Sequence, residues 1–426
     1  MPNSMKYSSY KDSGSEWLGE IPSSWSMVLL SQIVTQVKNK NTALLEKNLL
    51  SLSYGRIKRK PIDTSGGLLP ASFDGYNIIE ESDIVLRLTD LQNDHTSLRV
   101  GLSTERGIIT SAYITMRPRN TKCAKYLYYL LHTFDIRKGF YGMGSGVRQG
   151  LNYDEVKRLL LPFPTEEEQL AIGDYLDAEI DRIDSVIAES KASIEEYKAW
   201  KASIIYEAVT KGLDPDVEMK DSGIEWIGTI PEHWKLEKLK RHTSMLTPMR
   251  DKPEHLDGEI PWVRIEDYCG KYIDASKEGL GVSSETVAKM NLKVYPVGTV
   301  LCTSSCDLGK CAIVSRPLVS NQRFIGIIPN DNTCTDYLYY LMLSNAERLN
   351  YLSTGTIQAN LSRVAFEQLI IQIPPYNEQE EIASYLDKKM MQVDTLIFEK
   401  QALIKDLESY KKSLIFEVVT GKRRVC

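Results

Sequence analysis

Two stretches of the chain alternate apolar and polar residues with one period. In residues 165–211, Leu176, Ile180, Ile183, Ile187, Ser190, Ile194, Tyr197, Lys201 and Ile204 follow one another at steps of four and three. Leu386, Met390, Val393, Ile397, Lys400, Ile404, Leu407, Lys411 and Leu414 do the same at a constant offset of 210. Such steps trace the heptad seam of a coiled coil. The pattern predicts two long helices, each about 70 Å in length at ~1.5 Å per residue. A lone helix of that length leaves its apolar stripe in water, and the other copy in the same chain is the nearest partner. The seam also carries polar residues at matching places, Ser190 with Lys400 and Lys201 with Lys411. Polar seam positions fix register at some cost in stability. Thr165 and Glu168, just after Pro164, spell a capping box at the first helix start. Asn377 and Glu380 are expected to do the same after Pro374 and Pro375.

The helices are one part of a longer repeat. KDSGSEWLGEIPSSW (11–25) and KDSGIEWIGTIPEHW (220–234) share ten of fifteen positions. QLAIGDYLD (169–177) is echoed by QEEIASYLD (379–387), YLYYLL (126–131) by YLYYLM (337–342), and RLLLPFP (158–164) by QLIIQIP (368–374). A period near half of the chain means two copies of one unit. A two-fold relation between copies makes the helices antiparallel, with a globular part at each end. The turn-like GLDPD (212–216) is too short to hold a domain, so the second globular part starts near the end of the first helix. By symmetry the C-terminal residues return to the N-terminal repeat. Between the repeats, DIVLRL (83–88), AYITMRP (112–118), GTVLCT (298–303) and FIGIIP (324–329) read as strands among turn residues, and YLYYL reads as a short amphipathic helix. The expected fold is α+β: two mixed globular domains separated by an antiparallel coiled coil, with pseudo-two-fold internal repetition. The domain bounds read from the sequence are 1–164, a long helix over 165–212, 213–375, and a second long helix over 376–426.

At 426 residues, with 42% hydrophobic and 26% charged residues, the chain has the composition of a soluble globular protein with room for two or three cores. It shows neither a membrane-length apolar run nor a signal-peptide core. Seven cysteines lack a disulfide-framework spacing, which points to a reducing cytoplasm. Cys302, Cys306 and Cys311 cluster without a C-x-x-C pair and read as small buried apolar residues rather than a metal site. The net charge of −5 hides an uneven distribution. Residues 30–164 hold 19 Lys and Arg against 12 Asp and Glu, whereas residues 165–210 hold 4 against 12. The second inter-helix region, 243–375, holds 12 against 14. Only the first globular part is therefore basic, which is the footprint of a nucleic-acid partner.

No catalytic motif stands out. Walker and G-x-G-x-x-G loops are missing, and the five histidines do not form H-E-x-x-H. IPPY (373–376) resembles the N-P-P-Y of adenine methyltransferases, but Ile373 stands where a polar residue is required, so it reads as a proline turn before a helix. The binding candidates are clearer. SYGRIKRK (53–60) groups Tyr54, Arg56, Lys58, Arg59 and Lys60, with Lys38 and Lys40 nearby. Period two puts Arg56, Lys58 and Lys60 on one strand face. GSGVRQGL (144–151) offers Arg148 and Gln149, residue types that read guanine and adenine. In the second part the candidates are Arg264, Lys310, Gln322 and Arg323. TGTIQANL (354–361) adds Gln358 and Asn360, and the offset of 210 lays Gln358 on Arg148.

With these residues the sequence resembles the specificity subunit of a type I restriction-modification system. The resemblance rests on YKDSGxEWxGxIPxxW, which occurs twice apart from Met219 in place of the second Tyr, and on P-x(3–4)-EQ-x-x-I-x-x-YLD at the start of each helix. SLSYGRIKR (51–59) and NQRFIGIIP (321–329) also look like segments of the family's target recognition domains. The resemblance implies two target recognition domains, each reading half of a split double-stranded DNA site. It further implies two methyltransferase subunits that dock on the helix region and bring S-adenosylmethionine and the catalytic site, and restriction subunits that complete the nuclease. The chain itself is then non-catalytic. Two other readings remain: a coiled-coil protein scaffold that never touches DNA, and a specificity subunit of a related system in which methylation and cleavage share one partner chain.

Overall fold

The computed structural model describes residues 6–62, 72–94, 96–143, 150–248, 252–305, 308–352 and 361–425. The two long helices run Glu166–Lys211 and Tyr376–Val419. The chain forms two compact units, and each unit draws on both helices. Unit 1 comprises residues 1–190 and 401–426, and unit 2 comprises residues 191–400.

In unit 1, four antiparallel strands lie in the order Val34–Gln36, Ile114–Pro118, Ile84–Leu86, Val100–Leu102. Unit 2 repeats the order with Thr243–Leu246, Phe324–Pro329, Val300–Thr303 and Cys311–Val314, and adds Tyr272–Ile273 in parallel at the edge. The two sheets share topology although their sequences diverged. The YLYYL segments are helical as the pattern predicts, within Ala124–Ile136 and Thr335–Ser344. The echoing segments before the long helices are strands. Leu160–Phe163 pairs with Ser26–Leu29, and Ile370–Ile373 pairs with Lys235–Lys238.

The apolar seam explains how the units close. In unit 1, Leu176, Ile180, Ile183 and Ile187 pack in one core with Leu414, Ile415, Val418 and Val419. In unit 2, Ile205, Ala208 and Val209 pack with Leu386 and Met390. Each core is thus closed by a helix end from the opposite half of the sequence, so the helix segments within each unit are antiparallel. Buried tyrosines mark the join. The Tyr126 hydroxyl reaches the carbonyls of Pro162 (2.9 Å) and Val419 (3.3 Å). The Tyr337 hydroxyl reaches those of Gln372 (3.1 Å) and Val209 (3.4 Å). Burial pushes both phenols up, so they remain neutral.

The repeated E-W-x-G-x-I-P-x-x-W segment supplies the rest of this frame. Trp25 and Trp234 are buried, and their indole N–H groups donate to Glu168 and Glu378 in the first turns of the long helices. Gly421 and Gly212 follow the helix ends in the left-handed region, at φ of +73° and +76°. A Cβ on Gly421 would stand 2.4 Å from Pro22, and one on Gly212 would stand 3.3 Å from Trp234. The expected return of the C-terminal residues is present: Lys422 Nζ donates to the carbonyls of Leu18 (2.8 Å) and Glu20 (2.7 Å).

The capping box at the first helix forms, with Thr165 and Glu168 bonding reciprocally. The one expected at Asn377 does not. The helix starts at Tyr376, which places Asn377 inside the first turn. There the Pro375 carbonyl accepts from Gln379 N (3.0 Å), and the Gln379 amide donates to the Pro374 carbonyl (3.0 Å). The polar seam residues Lys411 and Lys201 bind carboxylates across the helix pair. Lys411 meets Asp184 at 2.6 Å in unit 1, and Lys201 meets Asp394 at 2.6 Å in unit 2. In a double-mutant cycle on Asp184→Asn and Lys411→Met, chemical denaturation should return a coupling of about 0.5–1 kcal/mol. The same cycle on the more exposed Asp394–Lys201 pair should return less. A zero coupling at Asp184 would remove its part in setting register.

Candidate nucleic-acid interface

In unit 1 the basic residues of SYGRIKRK form a hairpin, Leu50–Ser53 against Arg56–Arg59. Tyr54 and Gly55 turn it with φ of +49° and +74°, as a two-residue hairpin turn of the I′ kind requires. Leu52 faces Ile57 across the hairpin and both lie over Gly101, where an added Cβ would come within 2.5 Å of Leu52. That contact turns Ser51, Ser53, Arg56 and Lys58 to the other face. Arg56, Lys58, Arg59 and Lys60 are exposed, and Tyr54 stands at the tip, 80% exposed.

These cations are not equivalent. Arg56 donates to Asp184 on the first long helix at 2.9 Å, beside Lys411. Arg59 pairs with Glu105. Lys40 donates to the Gly75 carbonyl at 2.8 Å. Lys58 and Lys60 are exposed and have no carboxylate partner among the described residues, whereas the exposed Lys38 lies before the hairpin, close enough to Asp154 to help lower that carboxyl's pKa. The hairpin therefore carries two arginines held by acids and two lysines directed to solvent.

In unit 2, Arg264 is three-quarters covered and paired with Glu278 (2.9 Å) and Glu266 (3.4 Å). Lys310, Gln322 and Arg323 are exposed at one end of the five-stranded sheet. Thr303 N donates to the Lys310 carbonyl, and Ser304 N donates to the Arg323 carbonyl. The Ser304 carbonyl accepts from Leu361 N (2.8 Å), just as the Leu88 carbonyl accepts from Leu151 N (2.9 Å) in unit 1. Arg148, Gln149, Gln358 and Asn360 lie outside the described residues, directly before these two anchored leucines.

Two structural cations escaped the sequence reading. Arg99 is fully buried. Its guanidinium donates to the carbonyls of Arg87, Thr89, Asp90 and Asp94 and to the Tyr141 hydroxyl. It moulds the loop between two strands of the unit 1 sheet, and no periodicity distinguishes it from a surface arginine. In unit 2, Lys271 meets Asp336 (2.6 Å) and Asp387 (2.5 Å) against the rings of Tyr339 and Tyr340. Burial pulls its pKa down, but the two carboxylates more than offset that, and the net shift is upward. Cys302 and Cys311 face each other on paired strands, buried as expected, while Cys306 lies outside the described residues.

Two equivalent frames carrying different exposed cations define a two-module binding protein. Residues 246–406 match the family described as the type I restriction modification DNA specificity domain. The MjaIX specificity subunit of Methanocaldococcus jannaschii is 32% identical over 177 residues, a stretch covering 40% of each chain. The MjaVIII specificity subunit of the same organism is 23% identical over 431 residues, covering 95% of this chain and 94% of that one. Among solved structures, the HsdS subunit from Thermoanaerobacter tengcongensis superposes with a TM-score of 0.53 at 14% identity, over 94% of this chain and 98% of that one. A chain from a structural study of type I system assembly and conformational transition reaches 0.71 at 14% identity, with the same coverage. Over nearly its whole length the chain is therefore similar to specificity subunits of type I restriction-modification systems. No helix among the described residues is long and apolar enough to cross a membrane.

Replacing Arg99 with Met should destabilise the protein by about 3 kcal/mol, because four buried carbonyls lose their donor. Denaturant titration measures this. A loss below about 1 kcal/mol would show that the loop holds its shape without Arg99.

Proposed function

We propose that the chain reads a two-part, asymmetric double-stranded DNA site and holds the subunits that act on it. One observation supports this reading above the others: the same frame occurs twice while the exposed readers differ. A scaffold indifferent to DNA gives no reason for two solvent-directed lysines on a hairpin in one copy and a Lys–Gln–Arg cluster at a sheet end in the other. In this reading the target recognition domains fall within 1–164 and 213–375, and the helices of 165–212 and 376–426 set their spacing. The chain supplies recognition and no chemistry. Two methyltransferase subunits bring S-adenosylmethionine, restriction subunits bring cleavage, and the assembly works in the cytoplasm.

Phosphate contact falls to Lys58 and Lys60, whose charges are not already matched by acids. Arg56 and Arg59 act first as struts. Lys58→Ala or Lys60→Ala should weaken binding similarly on all DNA sequences and reduce the slope of log K against log salt by about one unit. A loss confined to one sequence would assign base reading instead.

Half-site choice should be modular. Duplicating residues 26–164 into the second slot should convert the modified motif, read by methylation-sensitive sequencing, into two inverted copies of the first half-site. A folded chimera that binds its partners and still modifies the original motif would overturn the assignment.

A further inference from the structure

The two copies of the frame differ at one acidic position. In unit 1, Asp184 accepts from Lys411 (2.6 and 2.8 Å) and also from Arg56 at the hairpin (2.9 Å). Its side chain is 29% exposed. In unit 2, Asp394 stands at the equivalent place and accepts from Lys201 with the same distances, 2.6 and 2.8 Å. No second cation meets it among the described residues, and its side chain is 56% exposed. The place that Arg56 fills in unit 1 is open in unit 2.

The surroundings of Asp394 have changed to match. It lies in a groove of about 450 Å³ whose walls include Lys271, Tyr340, Asp387, Met391 and Phe398. Met391 and Phe398 are 67% and 70% exposed, and seven-residue spacing puts both on the helix face that carries Asp394. The equivalent positions in unit 1 are Asp181 and Ala188. An exposed acid flanked by two large apolar side chains suits one kind of guest: a guanidinium for the carboxylate, with its aliphatic stem on the methionine and the Phe398 ring near the charge.

We infer that this groove is a docking site for a partner protein that inserts an arginine onto Asp394, as Arg56 sits on Asp184 within the chain. The choice of partner rests on the proposed function: the segment belongs to a methyltransferase subunit. Two identical subunits then meet unequal sites, because in unit 1 the carboxylate is already occupied from within.

The test uses the full chain and the methyltransferase subunit encoded with it. Met391→Asp combined with Phe398→Ala installs the unit 1 side chains at two exposed positions. In native mass spectrometry titrations this variant should lose about ten-fold in affinity for one subunit of the two. Asp181→Ala in unit 1 should leave both unchanged. Unaltered affinity for both subunits in the double variant would overturn the inference. If the wild-type chain assembles no such subunit, the proposed function fails, and the groove is judged by a second probe. The synthetic peptide LSLSYGRIKRK, residues 50–60 of this chain, should shift the Met391 methyl resonance, and the same peptide with Arg56→Ala should not. Equal shifts from both peptides, or none, would sink the groove as an arginine site.

Discussion

Each core depends on apolar side chains delivered from the far half of the sequence. Trp25, Tyr126 and Leu176 cannot be sealed from water until Leu414, Ile415, Val418 and Val419 arrive. Trp234, Tyr337 and Leu386 likewise need Ile205, Ala208 and Val209. Burial of these stripes is the main favourable term, and the buried hydroxyls of Tyr126 and Tyr337 add direction to it. Both sit where a carbonyl of the frame strand and a carbonyl of the incoming helix end lie within reach of one phenol. Leaving such a hydroxyl without a partner would carry a desolvation penalty, so the join has one preferred register.

On this frame the variable parts are fastened by single cations. Arg56 ties the unit 1 hairpin to the first long helix at Asp184. Lys271 ties the edge of the unit 2 sheet to the second long helix at Asp387. The two solutions use different residues from different elements and reach different carboxylates. Such fastening lets a recognition surface change its readers while its attachment persists, because one charge on a repeated acidic helix face is easily met by a new partner.

Much of this was legible in the sequence, for identifiable reasons. The heptad seam follows from helix geometry alone, and the offset of 210 carried each assignment from one half to the other. The strands DIVLRL, AYITMRP, GTVLCT and FIGIIP were readable because short buried strands end at turn residues. The second capping box failed because Pro375, which has no side-chain acceptor, stands at the place of Thr165, while Asn377 lies inside the first turn. The common strand order of the two sheets was hidden, since topology is conserved through packing and not through residue identity. Among the binding candidates, sequence spacing grouped the hairpin cations correctly but could not separate Arg56 and Arg59 from Lys58 and Lys60. That distinction depends on Asp184 and Glu105, which are distant in the chain. Arg99 was invisible for the same reason: what makes it structural is a ring of carbonyls set by the fold.

The discontinuity of unit 1 also constrains how the chain is made. A ribosome releases residues 1–190 long before it reaches Leu414, so the nascent first core must wait, with its apolar face uncovered, through synthesis of all of unit 2. Unit 2 meets no such delay: its parts are contiguous, and it is complete once residue 400 has emerged. Translation therefore imposes an order of closure on two otherwise equivalent halves. A message that stops before Leu414 would yield a finished second unit attached to a first that cannot close, which is the kind of exposed surface that chaperones and proteases recognise.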